Sequence, residues 1–299
     1  MASSAFLADP RCKERVLSGA TTPAAPGDIW WPVNFDQAAI TAFCDSNGLD
    51  PAFFHFVRSL VGPGGEDEIS QNLVDTLTAL RLGADTQAIF KAWLFWLWDG
   101  RDSESLKSVL SGSDAFASAC DLIKLHQRNE TSPVSRQQWR QARSAVLRAS
   151  QLSPEQTSAA HVVAAMGWDF ATTPGAAADL VHTFFSESSE RASEAFGWTE
   201  ADAAAVQAAI VRVHTVAGAE LGPPPADRSD REAMTAYMEL FQAIVARERT
   251  QAETQAMERM QELGAAGAER GQKLQAALRE GLLLKVRSAP LVVGEPVHT

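Results

Sequence analysis

Helix start and stop signals recur along almost the whole chain, and they constrain its fold more than any other feature of the sequence. A capping residue followed by proline stands at Asp50-Pro51 and again at Ser153-Pro154, and glycine follows several of the segments between such signals. Side-chain oxygens of Asp and Ser satisfy free amide groups at a helix N-terminus, and proline fits the first turn. Patterns typical of β-strands are nearly absent. The sequence therefore predicts an all-α protein.

A multi-helix globular body of about ten helices is predicted, followed by a long C-terminal helix or helical hairpin. The predicted helices of the body cover 36–47, 51–61, 67–82, 85–98, 103–110, 114–128, 135–151, 154–166, 174–196 and 200–220. Ser229 and Glu232 then form a capping-box pattern, and no proline follows until Pro290. This long proline-free stretch favours an extended helical region at the C-terminus.

Proline and glycine clusters divide the chain into predicted regions. Three consecutive prolines after Gly222 lack amide donors and favour an extended path, which predicts a hinge at 222–228. The other predicted regions are an extended N-terminal segment at 1–34, an aromatic-rich helical subdomain at 35–132, a second helical subdomain at 133–221, the long helix or two helices at 229–285, and a tail at 286–299. On this division, residues 1–221 are expected to fold without residues 226–299.

The C-terminal region is compatible with one helix or with two. The stretch 247–255 has almost no apolar face, so it is either a solvent-exposed part of one long helix or a break. Gly264, Gly267 and Gly271 each cost about 1 kcal/mol relative to alanine in a helix interior. Either these glycines form a stripe that lets another helix approach closely, or a loop near 264–272 separates two ordinary helices.

Charge and cysteine content exclude several classes of partner. The formal net charge is -11 without an offsetting basic cluster, which disfavours nucleic acid. The most apolar run, 88–98, is too short to span a bilayer, so no membrane insertion is expected. Cys12, Cys44 and Cys120 are widely spaced and odd in number, so neither a disulfide framework nor a zinc site is expected. With no export-signal pattern near the start, the cytoplasm or another reducing intracellular compartment is favoured.

Local signatures of catalysis are missing from the sequence. It contains no GxxxxGK[ST], GxGxxG, HExxH, EF-hand or GxSxG motif, which favours a protein that is not an enzyme. No cofactor or metal is predicted. His161, His182 and His214 nevertheless fall on successive predicted helices, so an all-α enzyme or a small-ligand or metal-binding protein with a pocket in the 135–221 helices is an alternative. Asp179 and His182 would share one helix face, where a solvated pair is the favoured interpretation.

Aromatic residues are the most unusual part of the composition, with eight Trp and fourteen Phe against one Tyr. The helix at 85–98 is apolar on every side, which predicts that it lies at the centre of the first subdomain. The alternative is that part of its surface meets another protein. Trp30 and Trp31 are candidates for docking, either within the chain or onto a partner.

The predicted function is that of a non-catalytic helical interaction protein, an adaptor or a subunit of a larger assembly. Its C-terminal helix would bind another protein or a second copy of the chain, for example as a coiled coil. The candidate partner-binding residues are Trp30, Trp31, Met234, Tyr237, Phe241, Ile244, Gly264, Gly267 and Gly271. An acidic inhibitor or immunity-type protein that covers a basic partner is a further alternative, because complementary charge speeds association.

Overall fold

The computed structural model describes residues 4–21, 37–60, 66–100 and 105–292. Within these ranges the chain forms thirteen α-helices, one short 3-10 helix (Ala5–Ala8) and no β-strand, so the all-α prediction is confirmed. The helices are α1 (Pro10–Thr21), α2 (Gln37–Asn47), α3 (Pro51–Ser59), α4 (Glu66–Ala79), α5 (Thr86–Asp99), α6 (Leu106–Leu110), α7 (Phe116–Arg128), α8 (Arg136–Leu147), α9 (Pro154–Met166), α10 (Ala176–Phe196), α11 (Glu200–Leu221), α12 (Arg231–Glu248) and α13 (Gln251–Arg287). In these described stretches, no helix is both long enough and apolar enough to cross a membrane.

Side-chain caps begin several of the helices at positions that the sequence indicated. At the start of α3, Phe53 N donates a hydrogen bond to the Asp50 carboxylate at 2.8 Å. At the start of α9, Gln156 N donates to Ser153 Oγ at 3.2 Å, and the two residues form a complete capping box. Each cap satisfies an amide that has no partner inside the helix, so the local sequence sets the helix start.

Helix α1 corrects the prediction of an extended segment at 1–34. Arg11 N donates to the Asp9 carboxylate at 2.9 Å, and Pro10 occupies the first helical position. Cys12 and Val16 then bury one side of the helix. The extended-segment prediction is wrong for residues 10–21, because a cap and a buried face together stabilise a helix there. The pair Asp9-Pro10 is the same start signal as that of α3, so the sequence contained the information.

Two compact units make up the chain, and their boundaries differ from the predicted ones. Unit 1 comprises residues 1–188 and 271–299, and unit 2 comprises residues 189–270. The predicted boundary at 132/133 lies inside unit 1, where α7, α8 and α9 pack on one another. The predicted hinge at 222–228 lies inside unit 2, where it connects α11 to α12. Tyr237 Oη donates to Gly222 O at 3.4 Å across this connection.

Helix α5 lies in the core of unit 1, and the end of α13 completes that core. Trp93 is fully buried, and its ring centroid is 4.2 Å from that of Phe56. Trp93 Nε1 also donates to Leu278 O on α13 at 3.4 Å. Leu282 and Val286, further along α13, are buried in the same core. We therefore expect removal of residues 226–299 to expose the core of unit 1, instead of leaving residues 1–221 folded.

The C-terminal region consists of two helices that are divided at Arg249-Thr250. Thr250 N donates to the Glu253 carboxylate at 2.8 Å, and Glu253 N donates to Thr250 Oγ1 at 3.3 Å, which is a capping box. Helix α13 then continues unbroken for 37 residues, or about 56 Å. The break thus lies in the stretch that lacks an apolar face, and residues 264–272 are helical.

Candidate functional site

The three helical segments of unit 2 form the candidate site, and they share a small apolar core. Helices α11 and α12 pack against each other, with residues 251–270 of α13 beside them in the same unit. The buried apolar residues described in this unit are Val206, Ala209, Val213 and Ala217 on α11, Ile244 and Val245 on α12, and Ala256 on α13. Three of these seven are alanines, so the fully buried apolar core of unit 2 is small.

Arg212 on α11 connects the end of α12 to the start of α13. Its guanidinium donates to Glu248 O at 2.8 and 3.1 Å and forms an ion pair with Glu253. The hydrogen bond from Arg212, followed in importance by that from the Thr250 amide, lowers the pKa of Glu253 to about 2. Glu253 therefore stays ionised at neutral pH, and the turn between the two helices is stabilised by charge.

A second ion pair holds α13 to the beginning of α11. Arg259 pairs with Asp202, which is buried and which also accepts a hydrogen bond from Thr199 N at 3.0 Å. The pairing of a buried carboxylate with a guanidinium compensates for the loss of water around that carboxylate. A charged contact thus joins this part of α13 to the beginning of α11.

Unit 2 exposes more large apolar side chains than it buries. Among its described residues, the buried ones larger than alanine are Val206, Val213, Ile244 and Val245. The large apolar residues that are 37% to 56% exposed are Phe196, Ile210, Val211, Met238, Leu240 and Met260. Single exposed apolar residues are ordinary in folded proteins, but in unit 2 they outnumber the large apolar residues that are buried.

The predicted partner-binding residues of α12 occupy its inner face. Met234, Tyr237 and Phe241 are half-buried, and Ile244 is only 3% exposed. The Phe241 ring centroid lies 5.5 Å from that of His214 on α11. These side chains therefore pack within unit 2, and their role in partner binding stays a prediction. Trp30 and Trp31 lie outside the residues that the structure describes.

Gly264, Gly267 and Gly271 lie on the unbroken helix α13 with free space beside them. Among the described residues outside the helix's own backbone, no atom comes within 4 Å of the position where a Cβ would stand. At Gly281, by contrast, a Cβ would lie 2.6 Å from the Trp96 ring. Contacts within the described chain thus explain a glycine at 281 but not the three at 264, 267 and 271.

Similarity to known proteins gives no indication of what unit 2 does. No protein-family model, curated protein sequence or solved structure matches this chain. The two buried carboxylates described in unit 2, those of Asp202 and Glu253, are paired with arginines. Both carboxylates are therefore engaged in contacts within unit 2.

The three histidines proposed for an alternative site do not come together. His161 Nδ1 lies 2.6 Å from Glu187 Oε1 in unit 1, His182 is exposed, and His214 lies against Phe241 in unit 2. In the ranges that the structure covers, no group of three His, Cys, Asp or Glu residues could hold a metal ion. Of the three, His161 is among the residues that line a groove between α8, α9 and α10.

Proposed function

We propose that this protein is a non-catalytic helical interaction protein, an adaptor or a subunit of a larger assembly, and that unit 2 carries its binding surface. The observation that supports this proposal is the excess of exposed over buried large apolar side chains in unit 2. Apolar surface contributes about 25 cal/mol per Å² when it is removed from water. A partner that covers these side chains therefore gains free energy that unit 2 does not gain alone.

A small rearrangement of α12 would not bury its exposed side chains. Met238 and Leu240 are about 160° apart around the helix, because successive residues are rotated by about 100°. They flank the inner face, which Tyr237 and Phe241 already fill by packing within unit 2. Rotation of α12 would bury one of the two exposed residues and expose the other further. An added element, supplied by another protein or a second copy of this chain, could cover both.

The glycines of α13 support a helical partner. Each glycine in a helix interior costs about 1 kcal/mol relative to alanine, and the three positions have free space beside them. A helix that crosses α13 at Gly264 and Gly267 could approach its backbone more closely than side chains would permit. The dispersion contacts of such a crossing would offset the cost of the glycines.

Leu240→Gln tests the proposal, and Leu284→Gln is its matched control. Leu240 is 56% exposed in unit 2, whereas Leu284 is 55% exposed on α13 in unit 1. Both changes replace an exposed leucine of similar accessibility, so both variants should keep the far-UV circular dichroism spectrum of the wild type. Light scattering after size exclusion measures self-association, and affinity purification from the native source with mass spectrometry measures binding of other proteins.

We expect the wild type and Leu284→Gln to form the same complex and Leu240→Gln to lose it. Gly267→Leu should also weaken the complex while α13 stays helical, because it fills the space left for a partner helix. The mass of the complex distinguishes a second copy from a different protein. A wild-type chain that stays monomeric and captures no protein, or a Leu240→Gln variant that captures the same protein equally well, would contradict the proposal.

A further inference from the structure

A groove of 450 Å³ lies between α8, α9 and α10 in unit 1. Helix α8 contributes Arg140, Arg143 and Leu147, and α9 contributes His161. Trp168 follows α9 directly and forms part of the wall. The groove lies in the region where the sequence places the alternative pocket, but of the three proposed histidines only His161 takes part.

The guanidinium of Arg143 lies over the ring of Trp168. Its guanidinium carbon lies 3.5 Å from the Trp168 ring centroid, a stacked cation-π contact. Gly167 makes this arrangement possible, because a Cβ at that position would lie 2.4 Å from Arg143 Cγ and 2.7 Å from Leu122 Cδ1. The guanidinium is therefore oriented before any ligand binds, which reduces the entropy cost of binding.

The positive charge of the groove has no carboxylate partner of its own. Arg140 and Arg143 are three residues apart on α8, so they lie on the same side of the helix. Neither forms an ion pair with any residue that the structure describes. Glu187, the carboxylate among the lining residues, accepts its hydrogen bond from His161. Two adjacent unpaired arginines are unexpected in a chain with a net charge of -11.

The two guanidinium groups also repel each other. Partial burial lowers the pKa of Arg143, and the positive charge of Arg140 lowers it further. Arg143 Nε is buried and has no hydrogen-bond partner among the described residues. An anion that contacts both groups would relieve this repulsion and supply acceptors for their N–H donors.

We propose that the groove binds a small organic oxyanion, a carboxylate or a phosphate monoester, with Arg140 and Arg143 as its ligands. The planar fork of a guanidinium matches both kinds of oxyanion with two parallel hydrogen bonds. The apolar part of the ligand packs against Leu147, which is 53% exposed, and Ala165. A volume of 450 Å³ lies within the range of about 300–1,000 Å³ that is usual for pockets that bind small molecules. The size of the groove thus favours a small molecule over a polypeptide.

Isothermal titration calorimetry on the full chain tests the proposal with three probes that share an aromatic body. Phenyl phosphate and benzoate carry the two oxyanions, and benzyl alcohol is uncharged. We expect both anions to bind, to compete with each other and to bind more weakly at high salt, and we expect no measurable heat from benzyl alcohol. Competition and salt dependence are measured on the wild type, so this part of the test does not depend on the folding of a variant.

Substitutions on α8 assign the binding to the two arginines. Arg140→Gln and Arg143→Gln should each raise the Kd of the anions about tenfold, the effect of losing one charged hydrogen-bonding group. Arg143→Lys keeps the charge but loses the stacked fork, so it should also raise the Kd. Arg148→Gln, at the end of the same helix and outside the groove, should leave the Kd unchanged.

Four results would overturn the proposal. The first is that the wild type binds neither anion, and the second is that benzyl alcohol binds as tightly as the anions. The third is that Arg143→Gln and the wild type have the same Kd for the anions. The fourth is that the wild type binds hexaglutamate but not the small anions. The last result would show a surface for acidic peptides. Loss of the complex formed by unit 2 would not change any of these measurements, so the two proposals fail independently.

Discussion

Lowering the pH from 7 to 4 should destabilise unit 1 through the buried imidazole of His126. The side chain is 6% exposed, and its Nε2 lies 2.7 Å from Met166 O, to which the neutral ring donates a hydrogen bond. The rings of Trp139 and Phe170 lie against it, with centroid distances of 4.6 and 5.9 Å. Burial lowers the pKa of His126 to about 4, because the surroundings cannot solvate a positive charge.

The shift of this pKa sets the sign and the size of the effect. In the unfolded chain the histidine has a pKa of about 6.5 and takes up a proton as the pH falls below that value. The folded chain does not take up this proton until about pH 4, so the unfolded state binds more protons in between. The free energy of unfolding therefore decreases as the pH is lowered from about 6.5 to about 4. A difference of about 2.5 pKa units corresponds to a loss of about 3 kcal/mol.

Urea denaturation at pH 7, 5.5 and 4 measures this loss, with His126→Gln as the reference. Glutamine can still donate to Met166 O but does not titrate, so the variant should lose about 3 kcal/mol less than the wild type over the same range. Carboxylates elsewhere titrate equally in both proteins and cancel in the comparison. If the two proteins lose the same free energy, His126 is not held neutral by burial, and the reasoning is refuted.

Two further predictions concern helix packing and capping. Gly281→Ala should lower the free energy of unfolding by about 1 kcal/mol, because overpacking against Trp96 costs about 1–3 kcal/mol and exceeds the gain of about 1 kcal/mol in helix propensity. Gly218→Ala, in α11 with free space around it, should instead raise the free energy of unfolding by about 1 kcal/mol. If both substitutions change the free energy of unfolding in the same direction, the packing argument is contradicted. Ser153→Ala should remove the cap of α9 and cost about 1 kcal/mol in thermal unfolding. An unchanged melting temperature would mean that the cap contributes nothing.

Most helix boundaries could be predicted from the sequence, because the chemistry that sets them acts over a few residues. The capping box at Thr199 and Asp202 is visible in the sequence and present in the structure. The helix start at Asp9-Pro10, which the expectation of an extended N-terminus hid, is also a local signal. The start at Thr250 with Glu253 lies in the stretch 247–255, for which the sequence left a break and a continuous helix open.

The candidate sites were less accessible to sequence reasoning. Apolar periodicity identified the face of α12 that contains Phe241 and Ile244, but periodicity does not show whether such a face packs inside the chain or against a partner. The exposed Met238 and Leu240 lie beside that face and carry no periodic signal of their own. The groove depends on Arg143 stacking on Trp168, a contact between two segments that the sequence does not connect.

The sequence by itself determined the all-α fold and the positions of most helices, since caps, prolines and apolar spacing act within one or two turns. Only the tertiary structure decided how α13 is divided, with residues 251–270 in unit 2 and 271–287 in unit 1. The hydrogen bond from Trp93 to Leu278 joins residues 185 positions apart. Contacts over such distances depend on how whole helices pack, so no local pattern encodes them. The long C-terminal helix expected from the sequence is real, but its second half is part of the core of unit 1.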